Sequence, residues 1–194
     1  MKMTSKLGLL VVVGVLAAAS VAATAQAQVI HPNNTAVSGI AEFPTLDYEG
    51  VIVQCNQGTA DGTTGTDQSF VDLSLTFTGD CNINGLGAEV TCVGTARLIA
   101  LDATTNEGTV DLNSGFGCDV VVSGVCTVSV DGPQNPNNAV SIANLLGEGG
   151  GDPKIDANVD VAATRTGSTL CGPATGTGNF TGLYDVTPTN ISID

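Results

Sequence analysis

Between Ser69 and Asp131 apolar and polar residues alternate through four successive runs, and this period of two constrains the fold more than any other feature of the chain. Val71, Leu73, Leu75 and Phe77 interleave with Asp72, Ser74, Thr76 and Thr78, and Cys81 keeps the same parity. Val90, Cys92, Gly94, Ala96 and Leu98 follow on even positions. Val110, Leu112, Phe116, Cys118, Val120 and Val122 make a third run, and Cys126, Val128 and Val130 a fourth. Successive side chains of a strand point to opposite faces, so each run describes a strand with one buried and one wet face and with its cysteines turned inward.

The same rule extends to both sides of this block. Val51, Val53 and Cys55 share one face of a short strand, Ile155, Ala157, Val159 and Val161 alternate with Asp156, Asn158 and Asp160, and Phe180, Tyr184 and Val186 mark a last strand. Four stretches read differently. Residues 26–45 have weak periodicity and two prolines, which predicts an extended arm or an edge strand. Asn56 to Gln68 is rich in Gly, Thr and Asp and predicts an exposed loop. Ala139, Ile142, Ala143 and Leu146 lie at helical spacing, with Asn138 as a cap and Gly147 as a stop, which favours a short helix over a strand. Glu148 to Pro153 is a glycine-rich loop. The fold class expected is all-β: a single antiparallel two-sheet sandwich of about seven to nine strands with inward disulfides. A small closed β-barrel is the alternative, because periodicity alone does not separate the two.

The first residues have another role. Lys2 and Lys6 precede an apolar run from Leu7 to Ala19, and Ala23-Thr24-Ala25 and Ala25-Gln26-Ala27 offer small-residue cleavage sites, the pattern of a secretory signal peptide over residues 1–27. The apolar run is shorter than the ~20 residues that span a bilayer, and no second such run follows, so no membrane span is expected in the mature chain, residues 28–194. Cleavage would leave Arg97, Lys154 and Arg165 against 19 acidic residues, two units more negative than the −14 of the full chain. Such a charge repels phosphate backbones and excludes nucleic acid as a partner. The expected location is extracellular.

Six cysteines in an exported chain imply three disulfides. Zinc is disfavoured because Cys55, Cys81, Cys92, Cys118, Cys126 and Cys171 are widely spaced and His31 is the lone histidine. A short internal echo, Val71-Asp72-Leu73 before Cys81 and Cys92, and Val110-Asp111-Leu112 before Cys118 and Cys126, suggests joining Cys81 to Cys92 and Cys118 to Cys126 and leaves Cys55 to Cys171. Register sets a condition. A tight turn at Asn84-Gly85 would put Cys81 opposite Ala88 and leave Cys92 ~13 Å along the ladder, beyond a disulfide's Cα reach of roughly 7 Å. A turn centred on Leu86-Gly87 would oppose the two cysteines and is therefore the expectation. A three-residue loop at Ser123 to Val125 would put Cys126 opposite Val122, which weighs against the second pair.

Chemistry is sparse. Asp156, Asn158 and Asp160 match the first, third and fifth positions of a helix-loop-helix calcium loop, but Val161 stands where glycine is needed and Gly167 where the bidentate Glu is needed. Asp61 and Asp67 are weaker cation candidates. His31 has no G-x-S-x-G or S-x-x-K serine to activate. A hydrolase using paired carboxylates is arithmetically open, yet the chain has no Trp and only Tyr48 and Tyr184 beyond its phenylalanines. The aromatic girdles of a transmembrane barrel are equally out of reach at 4% aromatic residues. No catalytic residue and no cofactor is assigned.

The segments from Gly108 to Phe116 and from Cys126 to Gln134 resemble stretches of uncharacterised secreted all-β proteins of bacteria. That resemblance covers the middle third of the chain and implies no activity. The function expected is structural, adhesive or surface-interacting and non-enzymatic, with contacts through polar loops. A calcium-binding extracellular module and a paired-carboxylate hydrolase are the alternatives. Thiol titration of the unreduced, denatured protein should find no free cysteine; two or more reactive thiols would count against the disulfide framework.

Overall fold

The computed structural model describes residues 28–102, 107–134, 139–141 and 153–193. The signal segment 1–27, residues 142–146 of the expected helix and residues 148–152 of the glycine-rich loop lie outside the described residues. After β1 (Ile30–His31) the chain builds eight long staves, six of them bent near the middle. The first is β2 (Ala36–Glu42) with β3 (Thr45–Tyr48), and the second β4 (Val51–Gln54) with β5 (Gln57–Thr63). The third is β6 (Phe70–Thr78) with β7 (Cys81–Ile83), the fourth β8 (Leu86–Val93) with β9 (Ala96–Asp102). The fifth is β10 (Glu107–Leu112) with β11 (Gly117–Val122), and the sixth β12 (Cys126–Asp131) with β13 (Ala139–Ser141). Two unbroken staves finish the set, β14 (Lys154–Gly167) and β15 (Thr175–Thr187), before β16 (Ser192–Ile193).

Each stave pairs antiparallel with the next in chain order, and β15 returns to pair with β2 and β3. The result is a closed eight-strand antiparallel barrel with extra strands. Of the two all-β architectures that the periodicity allowed, the barrel is the one formed. The stretch expected to be an arm or edge supplies the closure: Val37, Gly39 and Ala41 face inward from β2, which has β5 on one side and β15 on the other. Its weak periodicity has a physical cause, since two of its three inward residues are Gly and Ala. The presumed loop 56–68 is likewise mostly strand, β5, with Gly58, Ala60 and Gly62 facing in. Ala139–Ser141, expected to open a helix, is a strand paired with β10 and β14.

Inward positions on the other staves are those read from the alternation. Val71, Leu98, Leu112, Val120, Val128, Val130, Val159 and Val161 are all buried in one core. Outward positions of β14 are Asp156, Asn158, Asp160 and Thr164, all exposed. On β14 this polarity is the reverse of the outward apolar band of a transmembrane barrel, whereas Ile40, Ile52, Val121 and Leu183 are exposed on other strands. β1 and β16 form a separate two-stranded ribbon whose Ile30 and Ile193, both buried, pack into the barrel core.

Three disulfides are present, with a connectivity different from the one the internal echo suggested. Cys55 joins Cys81, Cys92 joins Cys118, and Cys126 joins Cys171. The reason is turn chemistry. Asn84 and Gly85 both adopt positive φ, 49° and 84°, the conformation that a tight two-residue hairpin turn requires, so Cys81 lies opposite Ala88 rather than Cys92. Val122 lies opposite Cys126 across the Ser123 to Val125 loop, which likewise separates Cys118 from Cys126. Cysteines then meet across neighbouring staves: Cys92 and Cys118 are direct ladder partners, and Cys55 and Cys81 continue the register of Gln54 and Asn82. Proteolysis without reductant should release peptides joining these three pairs; a peptide joining Cys81 to Cys92 would contradict the register.

Candidate binding site in the barrel interior

Eight strands give a barrel whose interior is filled by side chains or holds one small ligand, depending on how large those side chains are. Leu73, Leu75, Leu98 and Val110 project inward from β6, β9 and β10; β2, β5 and β14 contribute the small Gly39, Ala60 and Ala157 beside Val37, Ile155, Val159 and Val161, and β15 contributes Phe180, Tyr184 and Val186. A cavity of ≈ 180 Å³ runs among these side chains, while the room left at Gly39 and Gly182 is taken by the Tyr184 ring and that at Gly58 by Pro44 and Phe77. No charged side chain lines it. Of its few polar residues, Thr64 is fully engaged: its hydroxyl donates to Pro32 O and accepts from the Thr35 amide. Phe77 and Phe180 meet edge to face across the lumen, with ring centroids 5.9 Å apart.

Tyr184 stands among the small residues, packed with Ala41, Ala60 and Ala157 in a cluster of its own. A Cβ at Gly39 would lie 3.3 Å from the Tyr184 Cβ and Cδ1, and one at Gly182 would lie 3.0 Å from its Cε2. Gly39 pairs with Val186, two residues toward the chain terminus, and Gly182 lies two residues before Tyr184. The ring is therefore laid along the wall from the end of the barrel that holds the termini toward its middle, over two glycines that leave room for it. Only 5% of Tyr184 is exposed. Burial pushes its phenol up, so it stays protonated and is a hydrogen-bond donor at any physiological pH.

The other tyrosine shows what a structural phenol looks like here. Tyr48, fully buried, donates to Pro173 O at 2.9 Å, with Ala163 O at 3.3 Å, and ties β3 to the turn that follows β14. The Tyr184 hydroxyl has no hydrogen bond to any described residue.

The residues singled out from the sequence sit elsewhere. Asp156, Asn158 and Asp160 line the outer face of β14, where the Asn179 amide donates to Asn158 Oδ1 at 2.8 Å and Asp160 Oδ1 at 2.7 Å. Asp61 is outward on β5, opposite Ser74, and Asp67 accepts from Asn33 Nδ2 at 3.2 Å in the turn before β6. Among the described residues no group of three or more His, Cys, Asp or Glu is brought together as a metal site. His31 lies in β1, opposite Ser192 of β16. Sequence reading placed Tyr184 on an inward parity but missed the cavity, because the signal lies in alternation of size, Gly and Ala against Thr, Asp and Ile, rather than of hydropathy.

One carboxylate is tied down on the outer wall. Arg97 Nε and Nη2 donate to the two oxygens of Asp72 at 2.8 and 2.9 Å, Asn113 Nδ2 adds a bond to Oδ1 at 2.9 Å, and the guanidinium lies 4.0 Å from the centre of the Phe70 ring. The Arg97 bond holds Asp72 below the usual carboxylate range, outweighing the desolvation that raises it. This is opposite to what a general acid needs. A depressed carboxylate stabilises the fold above its unfolded value of about 3.9 and ceases to do so as pH falls through the folded one. Asp72→Asn should therefore cost about 1 kcal/mol or less at neutral pH and flatten the loss of stability below about pH 4; equal acid limbs in the two urea titrations would refute this.

No protein family matches the chain, and neither a curated protein nor a solved structure does.

Proposed function

We propose that this chain is an exported, non-enzymatic binding protein that holds a small apolar molecule inside its barrel. The observation that carries the reading is the ≈ 180 Å³ interior cavity with a wall of hydrocarbon side chains. An apolar cavity of about 150 Å³ stays dry and takes up benzene, so a void of this kind suits a ring of about six carbons with a short substituent. Three disulfides support durability outside the cell, where such bonds persist. The surface-interaction role expected from the loops becomes, in this reading, a carrier role centred on the lumen.

Binding to the native state alone raises the melting temperature by mass action, by about 2.7 kcal/mol of stability at a hundredfold excess over Kd. Melts of the mature, disulfide-intact protein with benzene or cyclohexane should shift upward and saturate. Ala60→Leu and Ala157→Leu, which fill the cavity from two different staves, should melt cooperatively but lose that shift. An unchanged melting temperature with every hydrocarbon tried would end the reading.

A further inference from the structure

A buried tyrosine ordinarily finds a partner for its hydroxyl, because an enclosed donor left unsatisfied loses its hydration without compensation. Tyr184 departs from this: the residue is 5% exposed and lines the cavity, while its hydroxyl bonds no described residue and keeps access to open space. A bound water is the plain alternative. It needs two to four polar partners, and a wall made almost wholly of Gly, Ala, Leu, Ile, Val and Phe supplies hardly any beside this phenol. A phenylalanine would fill the same volume without the hydroxyl's desolvation cost, and the ring lies against Gly39 and Gly182, where a larger residue would crowd it.

We propose that the Tyr184 hydroxyl is the polar recognition element of the cavity, and that the ligand is a small hydrocarbon body bearing one carbonyl-type acceptor, which takes the Tyr184 hydrogen bond. This rests on the apolar-cavity reading above and adds the orientation and selectivity of the bound molecule. The carbon skeleton would pack against Phe77, Phe180, Ala60 and Ala157, with its oxygen turned to the phenol. A saturated hydrocarbon would still enter, but with no fixed orientation.

Cyclohexanone and methylenecyclohexane have nearly the same shape and differ in the acceptor, so they separate the two layers of the claim. Binding of each to the mature protein and to Tyr184→Phe is measured by calorimetry or by melting shift. A neutral hydrogen bond contributes about 0.5–1.5 kcal/mol net, so Tyr184→Phe should weaken cyclohexanone roughly threefold to tenfold and leave methylenecyclohexane unchanged or tighter. The carbonyl stretch of ¹³C-labelled cyclohexanone should fall to lower frequency when bound to the wild type and stay near its hydrocarbon-solvent value in the variant. Without ligand, Tyr184→Phe should be no less stable than the wild type, whereas Tyr48→Phe, which loses its carbonyl partners, should be destabilised and keep the wild-type preference between the two ligands. Equal effects of Tyr184→Phe on both ligands, or an unshifted carbonyl band, would overturn the role of Tyr184 while leaving the cavity reading intact. Failure of both ligands to bind the wild type would remove the cavity reading and this inference with it.

Discussion

Closure of the ladder between β15 and the pair β2–β3 is the interaction on which the rest depends. Tyr184, Asp185, Val186 and Thr187 pair with Ala41, Ile40, Gly39 and Ser38, and lower down residues 178–181 pair with residues 45–48. Without those pairings the meander would have two open edges, each a row of unpaired amides and carbonyls. With them, the strand number fixes the bore, and the size of the inward residues decides whether the bore is full. The bends at the middle of the staves follow from the same closure. Phe43 at φ 53° and Gly94 at φ 73° turn their chains where the barrel wall changes direction.

Much of this was legible in the sequence, and what was not has a common cause. Alternation of Val, Leu and Phe with Thr, Ser and Asp gave away the third to sixth staves, and parity put their cysteines on the side where they are found. In the first two staves β4 was legible from Val51, Val53 and Cys55, but β2 and β5 were not, because their inner faces carry Gly39, Ala41, Gly58 and Ala60, residues that a hydropathy pattern scores as loop. Of these, Gly39 and Ala60 border the cavity. Small inner side chains erase the amphipathic signal, so this part of the wall is the part that the sequence hides best.

The cysteines teach a related lesson about which local rule to trust. Asn-Gly between two alternating runs is a strong hairpin signal, and taken at face value it places Cys81 across from Ala88, as found. Similarity between two chain segments was a weaker guide. Its structural meaning is different: the two Val-Asp-Leu phrases lie on β6 and β10, which flank β9, so Asp72 and Asp111 both lie level with Arg97. The echo marks two sides of one cation and says nothing about sulfur.

A closed meander also has no preferred starting point. The ribbon of β1 and β16 lays Ile30 against Ile193 and His31 against Ser192, so the two ends of the described chain meet side by side. The seam between β15 and β2 is the one that joins the last stave to the first. In topological terms the break between N- and C-terminus is an accident of where the ring was cut. A chain joined there and reopened at the Glu49-Gly50 or Asn84-Gly85 turn would carry the same barrel, the same sulfur bridges and the same lumen in a different order of residues.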